Sequence, residues 1–385
     1  MERRSFLRAV TAGTGAVAVT GGLWHAAATP AAAAAADSPY GPLLAPDANG
    51  LALPQGFTGR VVARSTRAVG GITWHGAPDG GACFPDGDGW IYVSNSELPL
   101  IGGVSALRFG PDGTVTAARR ILDGTNLNCA GGATPWNTWL SCEETYRGKV
   151  YETDPYGNRS ASSYGAMGRF KHEAAACDTD RRVVYLTEDE DDGCFYRFTP
   201  ASWGAWGALS SGRLDVLCDA GGGAVEWREV PDPDAPWPWE QTRAQVDEAL
   251  HFDGGEGCYY SPQAGVCYFT TKGDNRVWAY DAGANALAVV YDADEPLGTV
   301  DNITGRAGGD LYVAEDGGNM EINIITPAGT VAPVVRIDGH PESEITGPAF
   351  SPDGSRLYFS SQRGESGFAA GTDGVTYEVR GPFRA

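Results

Sequence analysis

A short apolar phrase that recurs along the chain constrains its fold more than any other feature. Each copy consists of a turn, four or five apolar or aromatic residues, and then small polar or acidic residues. The copies are centred on Tyr92, Leu140, Tyr185, Tyr268, Tyr312 and Tyr358. These centres are 48, 45, 83, 44 and 46 residues apart. A period of about 40–50 residues with several strands in each period is typical of β-propellers. The sequence therefore predicts an all-β fold, a six-bladed β-propeller.

Further strands and one long spacing complete this prediction. A second apolar strand follows each phrase, and residues 60–64 form another strand that is expected to complete the last blade and close the ring. The spacing of 83 residues contains a stretch rich in Trp, Pro and Gly. We interpret this stretch as a loop-rich insertion around residues 200–250.

The N-terminus has the order of features found in export signals. Arg3 and Arg4 open a twin-arginine pattern, and an apolar stretch to about Leu23 and an alanine-rich run to Ala36 follow. We predict a twin-arginine export signal over residues 1–36 and a single β-propeller domain over residues 37–385. The protein is therefore expected to be secreted or otherwise extracytoplasmic. Since this pathway carries folded proteins that often contain a cofactor, the signal is also consistent with a bound metal.

The charge balance excludes several classes of partner. The chain carries 49 acidic and 28 basic residues, a formal net charge of −21. Such a field repels nucleic-acid phosphates and anionic membrane surfaces, so no nucleic acid and no membrane is expected as a partner. The protein is expected to be a monomer. The acidic excess either forms a solvated surface or gathers around bound cations.

The eight cysteines form no CxxC pair, which argues against a zinc ribbon. Cys258 and Cys267 flank a short turn and can face each other across a hairpin. A disulfide between them and a pair of buried thiols both fit this pattern.

Ligand-type residues keep register with the repeat. The first two strands of a blade run antiparallel, so the start of the first and the end of the second lie at the same end of the channel. Eleven or twelve residues before the phrase centres stand Cys129, Glu173, Glu256 and Asp301. Three to five residues after the centres stand Glu97, Glu143, Glu144, Glu188, Asp189, Glu315 and Asp316. We expect these side chains to converge on one mouth of the channel.

Convergence of these carboxylates favours a cation site over a solvated surface. A single pair at a strand end, such as Glu143 and Glu144, is more often solvated. Six or more around a narrow channel would repel one another unless cations neutralise them. Oxygen ligands suit calcium, magnesium, manganese or ferric iron, and Cys129 adds one softer donor. His172 fits a packing role better than a ligand role.

Two segments that contain these candidate ligands resemble the signature of the PhoX-type alkaline phosphatases. They are residues 128–144, around Cys129, and residues 168–174, around Glu173. The resemblance extends more weakly from about residue 50 to the end of the chain. It implies a six-bladed propeller that hydrolyses phosphate monoesters. It also implies a pair of ferric ions, bridged by oxygen and a cysteine thiolate, with calcium ions beside them.

The resemblance implies roles for individual residues as well. Cys129 would be the bridging thiolate, and Glu173 and Glu256 would be iron ligands. The residues that would complete the iron and calcium shells are Glu143, Glu144, Asp301 and Asp316, with Glu97 and Glu188 as further candidate ligands. The catalytic candidates are Cys129, Glu173, Glu256 and Lys171. The expected cofactors are Fe³⁺ and Ca²⁺, and the expected substrate is a small phosphate ester.

One position departs from the family pattern. The family has an arginine that helps to hold phosphate two residues before the glutamate represented here by Glu256, and this chain has Gly254 at that place. The candidate replacements are Lys171, Lys272, Arg276 and Arg363. Because of this departure two alternatives stay open: a calcium-dependent propeller hydrolase of another class, such as a lactonase, and a non-catalytic calcium-binding propeller.

Overall fold

The computed structural model describes residues 38–385, except residues 237, 239, 293–295, 369 and 370. The predicted export signal, residues 1–36, lies outside this described part. Within it, no helix is both long enough and apolar enough to cross a lipid bilayer.

Six antiparallel sheets form blades around a central channel, and the strands of each blade follow one another from the channel outward. Blade one contains Pro78–Asp86, Gly89–Ser96, Gly102–Phe109 and Val115–Thr125; blade two contains Asn128–Ala133, Trp139–Glu143, Val150–Thr153 and Ser162–Ser163. Blade three contains His172–Asp178, Val183–Glu188, Gly193–Pro200, Gly212–Gly221 and Ala224–Glu229; blade four contains Gly255–Ser261, Val266–Thr271, Arg276–Asp281 and Ala286–Asp292. Blade five contains Val300–Gly305, Leu311–Glu315, Glu321–Ile325, Val331–Ile337 and Leu51–Ala52; blade six contains Ile345–Phe350, Arg356–Ser361, Val375–Arg380 and Thr58–Arg64.

The innermost strand of each blade contacts those of its two neighbours, and blade six contacts blade one. This closed ring confirms the six-bladed β-propeller predicted from the repeat. The remaining short elements are the hairpin strands Ala68–Val69 and Ile72–Thr73, the strand His251–Phe252, and the 3₁₀ turns Gly165–Met167, Ala208–Ser210 and Thr242–Ala244.

The recurring apolar phrase forms the second strand of every blade. This strand is almost wholly buried in each blade because both of its faces pack against neighbouring blades. In blade one, Tyr92 stacks on Tyr358 of blade six with ring centroids 5.0 Å apart. Ile91 and Val93 point the other way and pack with Trp139 of blade two. Burial on both faces explains why the phrase is continuously apolar rather than alternating.

The N-terminal strand Thr58–Arg64 pairs with the C-terminal strand Val375–Arg380 and completes blade six. The closure predicted for residues 60–64 is therefore confirmed. The short strand Leu51–Ala52 extends blade five by pairing with Val331–Ile337.

The stretch around residues 200–250 is only partly the loop-rich insertion that its composition predicted. Gly212–Gly221 is the regular fourth strand of blade three, and Ala224–Glu229 adds a fifth strand. The glycines at 221–223 make the turn between these two strands, so they mark a hairpin rather than a long loop. Loop structure dominates only after this hairpin.

Cys258 and Cys267 lie on the first two strands of blade four, where both are buried. Their Sγ atoms are 3.4 Å apart and both are free thiols. Of the two arrangements that the sequence left open, the structure holds the pair of buried thiols.

Candidate functional site

Five of the six blades place a ligand-type side chain at the second residue of the innermost strand. These residues are Asp79, Cys129, Glu173, Glu256 and Asp301. In all five blades the pairing between the first two strands shifts register close to this position. A register shift of this kind re-aims the neighbouring side chains. Equivalent positions of five sheets can therefore meet at one mouth of the channel.

Eight residues at this mouth form three groups, within each of which the ligand atoms lie no more than 4.8 Å apart. The groups are Cys129, Glu144 and Glu173; Glu173, Glu256 and Asp301; and Asp79, Glu97 and Glu344. Glu173 belongs to two of them. Cys129 Sγ lies 3.3 Å from Glu173 Oε1 and 3.6 Å from Asp79 Oδ2, so it connects the third group to the others. We call these eight residues the acidic cluster.

Burial makes the acidic cluster electrostatically unfavourable by itself. Glu173 is 0% exposed and Asp301 is 5% exposed. Burial, followed by the charge of Glu256, raises the pKa of both carboxyl groups well above the usual range. Burial also raises the pKa of the Cys129 thiol, and it raises the pKa of Glu256 to about 7 although Lys272 opposes that shift. Like charges this close in a medium of low dielectric must be protonated or neutralised by cations.

The donors of the acidic cluster fit metal ions. Glu173 Oε2 is buried and has no hydrogen-bond partner among the described residues, a state that costs free energy unless a cation or donor satisfies the oxygen. Glu256 Oε1 is different, because it lies 2.8 Å from Lys272 Nζ in an ion pair, although not with the angle of a hydrogen bond. Seven carboxylates and one thiol form a donor set suited to calcium together with iron.

In blades two, three and five, two consecutive acidic residues at the end of the second strand point in different directions. Glu143, Glu188 and Glu315 are the last residues of their strands, and each accepts a hydrogen bond from at least one nearby backbone N–H group. The residues that follow them are Glu144, Asp189 and Asp316, which pair with lysines at the mouth. Because successive side chains of a strand point to opposite sides, only the second member of each pair reaches the mouth.

The predicted ligands Glu143 and Glu188 are therefore not brought into the acidic cluster. Glu188 is fully buried and also accepts hydrogen bonds from Tyr196 and Arg243, at 2.7 and 2.9 Å. Asp316 lies beside the cluster rather than in it, 3.3 Å from Lys272 Nζ. The remaining predicted ligands, Glu97, Cys129, Glu144, Glu173, Glu256 and Asp301, are brought together.

His172 is buried and packs against Phe170, with ring centroids 3.6 Å apart. Its Nε2 pairs with the carbonyl oxygen of Gly168 at 3.1 Å. Burial lowers the pKa of His172 to about 3, so the ring is neutral at ordinary pH. This agrees with the packing role expected from the sequence.

Sequence reasoning missed Asp79 and Glu344. Asp79 stands thirteen residues before Tyr92 rather than eleven or twelve, so a fixed count passes over it. Glu344 lies in the linker directly before the innermost strand of blade six. Glu344 stands fourteen residues before Tyr358, so a search that extended the count from twelve to fourteen residues before each phrase centre would have found both. Gln362 was missed as well; its amide donates to Asp79 Oδ2 at 2.6 Å and to Glu97 Oε2 at 2.8 Å.

Neighbouring innermost strands approach each other closely next to the acidic cluster, and glycines permit this approach. A Cβ atom on Gly80 would lie 2.5 Å from Ala130 Cα, and one on Gly257 would lie 2.5 Å from Ile303 N. The cavity among these strands has a volume of about 40 Å³, which holds water molecules but no organic ester. The space between these strands is therefore too small for an organic ester.

A family model described as "Alkaline phosphatase PhoX" matches residues 103–289. The chain belongs to the PhoX family. The matched range includes four members of the acidic cluster, which are Cys129, Glu144, Glu173 and Glu256. The resemblance inferred from the two sequence motifs is thus confirmed, and with it an assignment to the alkaline phosphatases. No curated protein sequence matches the chain significantly.

Solved structures share the fold of this PhoX-family chain. PhoX from Pseudomonas fluorescens, in complex with vanadate, a transition state analogue, is 18% identical, and the match covers 88% of this chain and 97% of that one with a TM-score of 0.72. A luciferin-regenerating enzyme is 14% identical over 85% of this chain and 96% of that one, with a TM-score of 0.51. Regucalcin from Agrobacterium tumefaciens, a calcium-binding protein, is 12% identical with the same coverage and a TM-score of 0.50. At these identities the likeness shows a common fold.

Proposed function

We propose that this PhoX-family protein hydrolyses phosphate monoesters at iron and calcium ions held by the acidic cluster. Family membership implies metal dependence and a phosphate-ester substrate. The observation that carries the proposal is the Glu173 carboxylate, which is wholly buried, shared by two ligand groups, and left with an unpaired oxygen among the described residues. Such a carboxylate is costly to keep ionised unless it binds a cation.

The three groups suit different ions. Cys129 supplies the only sulfur donor of the cluster, so it and the neighbouring Glu173 and Glu256 are the residues that would hold iron. The all-carboxylate group of Asp79, Glu97 and Glu344 has the oxygen donors that calcium prefers. When bound, such ions supply Lewis-acid chemistry, which polarises a phosphoryl group for attack by water.

The fold of the chain positions the metal ligands and the substrate. Its five equivalent strand starts fix the ligands on rigid elements, and the space between these strands is too small for an organic ester. Hydrolysis consumes one water molecule and breaks the bond between phosphorus and the ester oxygen. The lysines at the mouth place positive charge where the phosphate enters, which favours a dianionic monoester over a monoanionic diester.

We also propose that the protein works as a monomer outside the cytoplasm. The twin-arginine pattern at Arg3 and Arg4 and the alanine-rich run after it support export. Fusion of residues 1–36 to a reporter that is active only after export tests the signal, with an Arg3→Lys, Arg4→Lys variant as the control. Retention of the reporter with the unchanged signal would remove this part of the proposal.

Activity of the purified protein tests the main proposal. The protein, purified without chelators, is expected to release phosphate from an aryl phosphate, and Cys129→Ala and Glu173→Gln are expected to abolish release because each removes a ligand. Cys83→Ala is the matched control, since Cys83 lies on the innermost strand of blade one and belongs to no ligand group. Full activity in Cys129→Ala would contradict the proposed site.

Two other outcomes would replace the proposal. Calcium without iron, together with hydrolysis of lactones but not of phosphate esters, would favour a propeller hydrolase of another class. A full metal complement without turnover on any phosphate monoester or diester would favour a non-catalytic calcium-binding propeller.

A further inference from the structure

Each of the three ligand groups is paired with one basic side chain. Lys171 Nζ lies 3.1 Å from Glu144 Oε1, Lys272 Nζ lies 2.8 Å from Glu256 Oε1, and Arg363 Nη2 lies 2.9 Å from Glu344 Oε1. Among the described residues, no other basic side chain forms an ion pair with the acidic cluster. We call Lys171, Lys272 and Arg363 the basic triad.

The basic triad lies on the solvent side of the cluster. Its side chains are 27%, 36% and 31% exposed, in the order Lys171, Lys272 and Arg363, whereas their carboxylate partners are 17%, 3% and 8% exposed. A ligand that enters from the mouth therefore meets these three positive charges before it meets the buried carboxylates.

Hydrogen bonds fix the backbone of the triad residues, whereas their long side chains can change rotamer. Lys272 N donates to the carbonyl oxygen of Gly254 at 2.8 Å, and Arg363 N donates to Ser343 Oγ at 2.9 Å. Lys171 directly precedes the innermost strand of blade three, and its carbonyl oxygen accepts from Asp189 N at 3.2 Å. The anchored backbones leave long side chains whose ends can turn between two partners.

Gly254 lies beside Lys272 and beside Asp189, which is a partner of Lys171. Its φ of +70° suits glycine. A Cβ atom there would lie 3.3 Å from Asp189 Oδ1, which belongs to a partner of Lys171, and 3.8 Å from Lys272 Cβ. No side chain from position 254 therefore separates Lys171 with its partner from Lys272.

We propose that Lys171, Lys272 and Arg363 hold the phosphate group of the substrate. Each turns from its carboxylate partner to a phosphate oxygen when cations occupy the acidic cluster, because those cations then neutralise the carboxylates in place of the basic side chains. The inference rests on the proposed function and names the side chains that select the substrate. Lysine contacts phosphate as a point charge and arginine through a planar fork, so two lysines and one arginine can contact several oxygens of one tetrahedral group.

A purely local role makes a different prediction. If the basic triad only neutralises the carboxylates of a cluster without metal, removal of one positive charge leaves phosphate affinity unchanged. If the triad holds phosphate, removal of the charge weakens phosphate binding and leaves the metal ions in place, because the carboxylate partner has lost a competitor.

Single substitutions of the triad separate these roles. Lys171→Gln, Lys272→Gln and Arg363→Gln are purified without chelators, and metal per chain is measured by elemental analysis. Binding of inorganic phosphate and of vanadate is measured by calorimetry, together with kcat and KM for an aryl phosphate. Each variant is expected to keep its metal and to bind phosphate ~10-fold more weakly, with KM changed more than kcat, because each loses a charge-assisted hydrogen bond.

Arg276→Gln is the matched control. The sequence also offers Arg276 as a candidate phosphate ligand, but the structure pairs it with Asp274 and Asp292 rather than with the acidic cluster, so it is removed from the candidates. Arg276 lies four residues after Lys272 in blade four and is 22% exposed. Its phosphate affinity is expected to equal that of the unchanged protein. Lys272→Arg is expected to recover part of the affinity that Lys272→Gln loses, since it restores the charge.

Two results would overturn the inference while leaving the proposed function intact. One is unchanged phosphate affinity in all three variants with full metal; the other is loss of metal from the variants, which would mean that the triad supports the ligands instead. Failure of the unchanged protein to bind or hydrolyse phosphate would instead refute the proposed function, and this inference with it.

Discussion

Glu173 shows how much the local environment of one side chain decides at this site. The carboxyl group is wholly buried, within 3.3 Å of the Cys129 thiol, and shared by two ligand groups. Glu152, in the neighbouring blade, is equally buried but accepts hydrogen bonds from Trp136, Thr138 and Gly207, at 2.6, 2.7 and 3.0 Å. The surroundings of Glu173 suit a bound cation, whereas Glu152 has hydrogen-bond partners within the fold.

Substitution of these two glutamates is expected to change stability in opposite directions. In the presence of a chelator at pH 8, Glu173→Gln is expected to raise the free energy of unfolding by about 1–2 kcal/mol, because it removes a buried charge among like charges. Glu152→Gln is expected to lower it by about 1–3 kcal/mol, because an amide cannot accept all the hydrogen bonds that the carboxylate accepts. Urea unfolding monitored by circular dichroism measures both. A lower free energy of unfolding for Glu173→Gln in the presence of the chelator would argue against repulsion between the carboxylates of the acidic cluster.

The strand Val375–Arg380 closes the ring, because it pairs with the N-terminal strand Thr58–Arg64 on one side and with Arg356–Ser361 on the other. Glu378, on Val375–Arg380, accepts hydrogen bonds from Arg60 on the N-terminal strand Thr58–Arg64, and from Arg356 and Tyr358 on the strand at its other side. A single buried carboxylate thus connects the two chain termini of blade six with its core.

Replacement of Glu378 by glutamine is expected to destabilise the propeller by about 2–4 kcal/mol. Arg356, whose side chain is 11% exposed, would lose its charge partner in a buried setting. Thermal and urea unfolding measure the change, and metal content is expected to stay constant because blade six contributes to the cluster only through Glu344. Glu229→Gln, at an exposed strand end, is the control and is expected to leave stability unchanged. Equal stability of the two variants would show that closure does not rest on this contact.

The elements also show which features the sequence could predict. The six second strands were predictable because burial on both faces forces a continuous apolar run. The equivalent ligand positions followed from the same count, and Cys129, Glu173, Glu256 and Asp301 stand at one position of four blades. Asp79 was not predictable by that count because blade one has a longer first strand, Pro78–Asp86, and its phrase centre lies one residue further along.

The prediction of a loop-rich insertion around residues 200–250 rested on composition rather than on periodicity, and it was only partly right. The fourth strand of blade three buries a continuous run, residues 214–218, between exposed ends, and the fifth strand is mostly exposed or half-buried, so neither shows a regular alternation that would mark it as a strand. The sequence also could not predict which side chain at the end of a strand points to the mouth. Glu143 and Glu144 are chemically identical, and the pleat alone sends one to the loop backbone and the other to the mouth.

At the scale of the whole molecule, a chain with a net charge of −21 is proposed to bind an anionic substrate. The general field repels a phosphate ester, and only a local reversal of sign at the mouth can attract it. We expect cations bound at the acidic cluster to supply most of that reversal, and the basic triad to supply the rest. Without metal, the protein is therefore expected to bind neither phosphate nor vanadate.

Elemental analysis of the native protein tests the central claim most directly. Protein purified without chelators is expected to contain iron and calcium together, more than one ion per folded chain, and Glu173→Gln is expected to contain fewer. A folded protein that hydrolyses phosphate monoesters while it contains no bound metal would contradict the account.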